Sequence, residues 1–138
     1  MDVFEYAEQA RNGSVSITDK TKKFIEEAER KNSEFNFFNL IDEAAAIEQA
    51  KELEKKAKSG KAKGRLFGVP ISIKDCICVK GMESTASSKI IRGYIPLFDA
   101  TVIEKAKVEG AFIFGKTVQD EFGFGTFSTN VGNGKIPL

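Results

Sequence analysis

Up to Lys58 the apolar residues recur mostly at helical spacing, and beyond Arg65 they gather into short unbroken runs. Asp2, followed three residues later by Glu5, is a capping-box start for a helix through about Arg11 that Asn12-Gly13 closes. Ser16 with Asp19 opens a second helix, with Ile17, Phe24, Ile25 and Ala28 on one stripe and an end near Lys31-Asn32. Phe35 to Ile41 suits an extended strand. Asp42 then caps a long helix to about Lys58. Its apolar face carries Ile47, Ala50, Leu53 and Ala57, while Glu48, Lys51, Glu52, Lys55 and Lys56 form i,i+3 and i,i+4 pairs on the other.

Ser59 to Gly64 is a basic connection that reads as a solvated loop. Leu66 to Ile73 is a β-branched run, with Pro70 marking a strand start or edge and Lys74-Asp75 marking its finish. From Lys80 to Pro96 small and polar residues predict a loop, with one turn of helix around Ser88 to Arg92. Asp99 caps a helix from Ala100 to Glu109 that buries Val102, Ile103 and Ala106, and Gly110 supplies its C′ residue. Ala111 to Phe114 is a short, fully apolar strand. The order helix, glycine, apolar strand belongs to parallel sheets covered on both faces. Gln119 to Phe122 predicts a short helix, and the chain from Gly123 onward predicts a loop. The fold class is α/β, with N-terminal helices around the first strands of a mixed or parallel sheet.

Composition then narrows the functional classes. With 138 residues, 41% of them apolar, the chain is long enough for one domain with its own core. Its 21 basic and 20 acidic residues nearly cancel. Phosphate binding needs a basic excess or stripe to displace counterions, so direct nucleic-acid binding is disfavoured. The acidic start lacks the regions of a signal peptide, and no apolar run reaches the roughly 18 residues that span a bilayer. Cys76 and Cys78 lie two apart in an extended stretch, where disulfide geometry is poor. They read as free thiols of a reducing compartment, the cytoplasm. The chain has no histidine and no second cysteine pair, which disfavours a zinc site and excludes every mechanism in which this segment supplies an imidazole base.

Lys74 is the first candidate for chemistry. It ends an apolar strand, where α/β folds present functional groups in the crevice at strand C-termini. A lysine in a water-poor pocket loses basicity and takes protons near neutral pH. The alternative is a lysine that reaches past the strand end into solvent or pairs with Asp75. Asp120-Glu121 is the second candidate, either as an acid-base pair or as caps and ion-pair partners of a lysine such as Lys116. Gly115, Gly123 and Gly125 make no dinucleotide fingerprint, because no βαβ unit begins after them. Ser84, Ser87, Ser88 and Ser128 lie in no nucleophile-elbow pattern.

Four ordered blocks resemble the amidase-signature family. Gly68 to Asp75 (Gly-Val-Pro-Ile-Ser-Ile-Lys-Asp) is similar to the segment that carries the family's catalytic lysine. Lys80-Gly81, Ser84-Thr85 and Ser87-Ser88-Lys89 look like the loop that follows it. Asp99 to Glu104 with Gly110-Ala111, and then Gly115 to Gly125, resemble the next two blocks. The resemblance spans about residues 14–138 and is strongest from 66 onward. It implies the N-terminal portion of a single amidase domain within 1–138, with a helical region and basic linker over 1–64 and the start of the signature core over 65–138.

For Lys74 the resemblance implies the base of a Ser-cisSer-Lys triad. Asp120-Glu121-Phe122 followed by Gly-Phe-Gly is most similar to the A subunits of glutamine-dependent tRNA amidotransferases. That branch implies glutamine as substrate, B and C subunits as partners, and tRNA, ATP and magnesium handled by a partner, with no cofactor in this segment. Gly123, Phe124 and Thr126 are similar to a loop bordering the substrate cleft, with plain loop packing as the alternative. Cys76 stands where the family commonly has asparagine. The family's two serine-glycine stretches would fall beyond Leu138, so the chain is expected to be a fragment, inactive alone, with an uncovered apolar face that favours self-association. A fragment of a general amidase and a non-catalytic scaffold are the other readings.

Overall fold

The computed structural model describes residues 2–132, 136 and 137; of the tail expected as loop, 133–135 and 138 lie outside the described residues. Helix α1 (Val3–Arg11) starts on the expected capping box. The Phe4 and Glu5 amides donate to Asp2 Oδ1 at 2.8 Å, and the Asp2 amide donates to Glu5 Oε2 at 2.9 Å. Helix α2 (Ile17–Phe35) runs past the expected end near Lys31-Asn32. Asn32 does not stop the helix, because its side chain is used elsewhere: its Oδ1 accepts the Phe38 amide at 2.7 Å. The break comes at Asn36, in the left-handed region at φ 56°. Strand β1 is therefore only Phe38–Ile41. Helix α3 (Glu43–Lys58) is capped by Asp42, which accepts the Ala45 amide at 3.0 Å.

Strand β2 is Pro70–Lys74. It begins later than the apolar run from Leu66, because the preceding residues form a turn in which the Leu66 amide donates to Glu109 O and the Gly68 amide to Gly110 O. The turn of helix expected at Ser88 to Arg92 is a non-helical turn, closed by Tyr94 N donating to Ile91 O. Helix α4 is Thr101–Val108, followed by Gly110 at φ 85°. Of its expected buried residues only Ile103 is fully buried, and Val102 is 57% exposed. Neighbouring helix positions point about 100° apart, so a helix of two turns cannot hide both. Strand β3 (Phe112–Thr117) continues beyond the expected Phe114. The short helix expected from Gln119 is one 3₁₀ turn, Glu121–Gly123.

The three strands form one sheet in the order β1-β3-β2. β1 runs antiparallel to β3 through Leu40↔Lys116 and Ile41↔Gly115. β2 runs parallel to β3, as Phe112 N donates to Val69 O and Asp75 N donates to Thr117 O. The sheet is thus mixed, one of the two arrangements expected.

The chain divides into two compact units. The first comprises Met1–Glu27, Asp42–Ile71 and Glu104–Phe114. Its core is Ala7, Ala10, Ile17, Ile25, Ala46, Ala50 and Leu53 from the helices, with Phe67 and Phe112–Phe114. Each large side chain buried there contributes about 1.5–3 kcal/mol. Phe24 meets Phe114 edge to face, with ring centroids 4.9 Å apart. Thr18 Oγ1 donates to Glu54 Oε2 at 2.8 Å and ties α2 to α3. The second unit comprises Ala28–Ile41, Ser72–Ile103 and Gly115–Leu138, and its interior is largely polar. Among the described residues no helix is long and apolar enough to cross a membrane.

Candidate active site

Side chains alternate along a strand, so Lys74 and Asp75 leave the end of β2 on opposite sides. Lys74 is exposed, and among the described residues its Nζ has no hydrogen bond or ion pair. Asp75 is buried, 1% exposed. Its carboxylate accepts Thr85 Oγ1 at 2.5 Å, Asn39 Nδ2 at 2.8 Å and the Thr85 amide at 3.2 Å. Lys116 Nζ, from β3, lies 3.3 Å from Asp75 Oδ1, and Lys116 is 0% exposed. Two of the expected pairings are therefore corrected. Asp75 pairs with Lys116 and not with Lys74, because strand alternation turns the neighbours apart. Lys116 pairs with Asp75 and not with Asp120 or Glu121, because its buried position on β3 faces the end of β2.

Two lysines now compete for a role as base, and hydrogen bonding separates them. Lys116 Nζ donates to Ile77 O and to Ser84 Oγ, both at 2.8 Å, and faces the Asp75 carboxylate. Its Nζ is fully buried and taken up by Ile77 O, Ser84 Oγ and the Asp75 carboxylate, so it has no access to substrate. The Lys116–Ser84 contact thus looks like a serine–lysine dyad and is structural. Lys74 instead reaches past the end of β2 into solvent, the alternative raised for it, and not into a water-poor pocket.

The serines of the following loop are likewise occupied. Ser84 Oγ donates to Asp75 O at 2.7 Å, Ser87 Oγ accepts from Asn39 Nδ2 and the Gln119 amide, and Ser88 Oγ donates to Glu121 Oε1 at 2.6 Å. The loop wraps Asp75 through consecutive left-handed residues, Ala86 at φ 49° and Ser87 at φ 54°. Such conformations cost about 1–3 kcal/mol each outside glycine and persist where surrounding contacts enforce them. Here the Ala86 amide donates to Asp75 O, and Ala86 O accepts the Phe122 amide at 3.0 Å.

Asp120 and Glu121 organise the next loop. Asp120 is 5% exposed, and its carboxylate accepts the amides of Ser128 and Asn130, both at 2.9 Å. Gly125 allows this approach, because a Cβ there would lie 2.2 Å from Asp120 Cγ. The Glu121 amide donates to Asn130 O. Neither carboxylate is arranged as an acid-base pair, since both are taken up by the chain itself. Gly123, Phe124 and Thr126 lie exposed on the resulting loop, with Phe124 82% exposed. No hydrogen bond among the described residues joins them to Lys74. Cys76 and Cys78 are free, Cys76 exposed and Cys78 half-buried.

Sequence reasoning missed Lys116 as an anchor and Asn39 as its accessory. No local signal marked Lys116: Lys74 also ends an apolar strand and is exposed, and only the central place of β3 in the sheet buries Lys116. Two groups with shifted acidity lie in the first unit. Burial pushes the Glu54 carboxyl up, but hydrogen bonds from Ser16 and Thr18 and the Lys58 charge outweigh it and hold it below its ordinary 4.5. Burial, then the Glu54 charge, push the Tyr6 phenol above its ordinary 10.0.

The fold that carries this strand-end lysine recurs in solved amidases. One of them overlays on 92% of this chain with a TM-score of 0.81 at 28% identity, and the chain spans 29% of it. Peptide amidase from Stenotrophomonas maltophilia shares the fold at a TM-score of 0.82 and 23% identity, over 88% of this chain and 25% of that one. The amidase family pattern matches residues 19–136, and the chain belongs to the amidase family. Within it the chain is similar to the A subunits of glutamyl-tRNA(Gln) amidotransferases. It is 39% identical to one such protein of Clostridium acetobutylicum over 89% of this chain, and 36% identical to the human mitochondrial one over 91%. It spans only about a quarter of the length of these relatives, 27% and 24%.

Proposed function

We propose that this chain supplies the general base of an amide-hydrolysing site, and that Lys74 is that base. The observation that carries the reading is the open Lys74 amine at the end of β2, in a chain that belongs to the amidase family. In the proposed Ser-cisSer-Lys chemistry, neutral Lys74 accepts a proton through a bridging serine. The nucleophilic serine, so activated, attacks the amide carbon. The proton passes back through the bridging serine to the amide nitrogen, the C–N bond breaks, the amine leaves, and water hydrolyses the acyl-enzyme. On this reading both serines come from polypeptide outside these 138 residues, and the proposal is that the 138 residues by themselves hydrolyse no amide.

Similarity to the amidotransferase relatives favours glutamine as the amide, with the ammonia passed to a partner that amidates mischarged tRNA. B and C subunits are then the partners, and tRNA, ATP and magnesium belong to the partner's step. On this reading the chain works in the cytoplasm, as part of one amidase domain whose signature core starts at residue 65, and Gly123, Phe124 and Thr126 border the substrate. A general amidase is the second reading, supported by the solved amidase that shares the fold at 28% identity. It differs in hydrolysing amides without partner subunits.

The test joins this chain to the remainder of its Clostridium acetobutylicum relative and measures ammonia release from glutamine with and without B and C subunits. Release only with them favours the amidotransferase reading, and release without them the general amidase. Lys74→Ala is expected to lower the rate about 10²–10⁴-fold, the usual share of a general base. An unchanged rate refutes the role of Lys74. Release by the unjoined 138-residue chain refutes the need for outside serines.

A further inference from the structure

We infer that Asp75 and Lys116 are positioning residues for Lys74: their buried ion pair fixes where β2 ends, and so the direction in which Lys74 leaves it. The inference rests on the reading of Lys74 as base. Burying two charges is costly, and apolar residues of similar volume often stabilise a fold as well or better. Stability alone is therefore a poor reason for this pair, and its local connections supply a better one.

Asp75 directly follows Lys74, and its carboxylate gathers donors from three separate segments: Asn39 of β1, Thr85 of the strained turn and Lys116 of β3. Lys116 holds the same few residues from the other side through Ile77 O, and through Ser84, whose Oγ donates to Asp75 O. The backbone closes the turn, with Asp75 N donating to Thr117 O and Ile77 N to Lys74 O. Segment 74–77 is thus gripped by side chains and backbone together. The grip is directional, which an apolar pair is not. A slip of one residue along the ladder turns every side chain of a strand to the opposite face, Lys74 included.

The test is the doubly neutral variant Asp75→Asn/Lys116→Met of the 138-residue chain, kept dilute and followed by denaturant unfolding and residue-resolved hydrogen exchange. The expected result is an unfolding midpoint near wild type, unchanged exchange at Ala50 in α3, and exchange at residues 75 and 77 faster by about tenfold or more. A near-wild-type midpoint with unchanged exchange at 75 and 77 overturns the inference, since the pair then only fills space. If the double variant unfolds, Thr85→Val carries the same readout, because it removes one hydrogen bond to Asp75 and keeps both charges. Faster exchange confined to 74–77 then supports the inference, and its absence overturns it.

In the joined enzyme, the double variant is expected to lower kcat about 100-fold with little change in KM, the effect of a misplaced catalytic group. An inactive Lys74→Ala beside a fully active double variant removes the positioning role alone. A fully active Lys74→Ala removes the base reading itself, whatever the exchange shows.

Discussion

Replacing Asp120 by alanine is expected to release the loop that follows it while leaving the helical core intact. The carboxylate is 5% exposed and accepts two backbone amides at 2.9 Å, Ser128 on one oxygen and Asn130 on the other. A hydrogen bond to a charged group contributes about 1.5–3 kcal/mol. Two of them suggest about 3–6 kcal/mol, and the lower end applies because both amides reach water once the loop opens. A loss of about 3 kcal/mol corresponds to roughly 100-fold in the local opening equilibrium. The assay is native-state hydrogen exchange: Ser128 and Asn130 exchange about 100-fold faster in Asp120→Ala, and Ala50 in α3 is unaffected. Asp120→Asn keeps one acceptor and falls between. Gly125→Ala produces the same release from the other side, because its Cβ would collide with the carboxylate. Unchanged exchange at Ser128 and Asn130 in the alanine variant refutes the assignment of Asp120 as the clamp of this loop.

Other consequences follow from single residues. Gln119 is buried with neither amide atom partnered among the described residues, so Gln119→Met is expected to raise stability by about 1–3 kcal/mol in denaturant unfolding, and a loss contradicts this. Glu54 has a depressed carboxyl, so its contribution is present above the ordinary 4.5 and lost as pH falls through the folded-state value. Thermal unfolding across that acid range is therefore less pH-dependent in Glu54→Gln, and identical profiles count against it. Leu97 is 86% exposed, with Ile90 and Phe98 also exposed nearby in the chain, so self-association in sedimentation is expected to weaken in Leu97→Asp. A wild-type chain that stays monomeric at every concentration contradicts that expectation.

Local signals in the sequence were read correctly where local chemistry decides the outcome. The Asp2/Glu5 box, the Asp42 cap and the finish of β2 at Lys74 all follow from neighbouring residues. Expectations failed where a distant group decides. Asn32 looked like a helix end, yet its side chain bonds the start of β1, and α2 runs on to Phe35. Asp75 looked like a partner for the adjacent Lys74, yet its cation comes from β3, far along the chain. The serine-rich loop looked like a weak signal for nucleophiles, and its hydroxyls prove to be the bracing of Asp75 and Glu121. Lys74 itself was legible as a strand-end lysine. The alternation of the strand placed it opposite its acidic neighbour, but only the sheet shows what holds that neighbour.

The central claim is that Lys74 acts as the base in amide hydrolysis, and ammonia release from glutamine by the chain joined to the rest of its Clostridium acetobutylicum relative, with B and C subunits present, tests it most directly. The account predicts an active joined enzyme, a Lys74→Ala variant slower by about 10²–10⁴-fold, and a Lys116→Arg variant that retains more activity than Lys74→Ala because it keeps the buried charge. A Lys74→Ala enzyme that releases ammonia at the parent rate would contradict it.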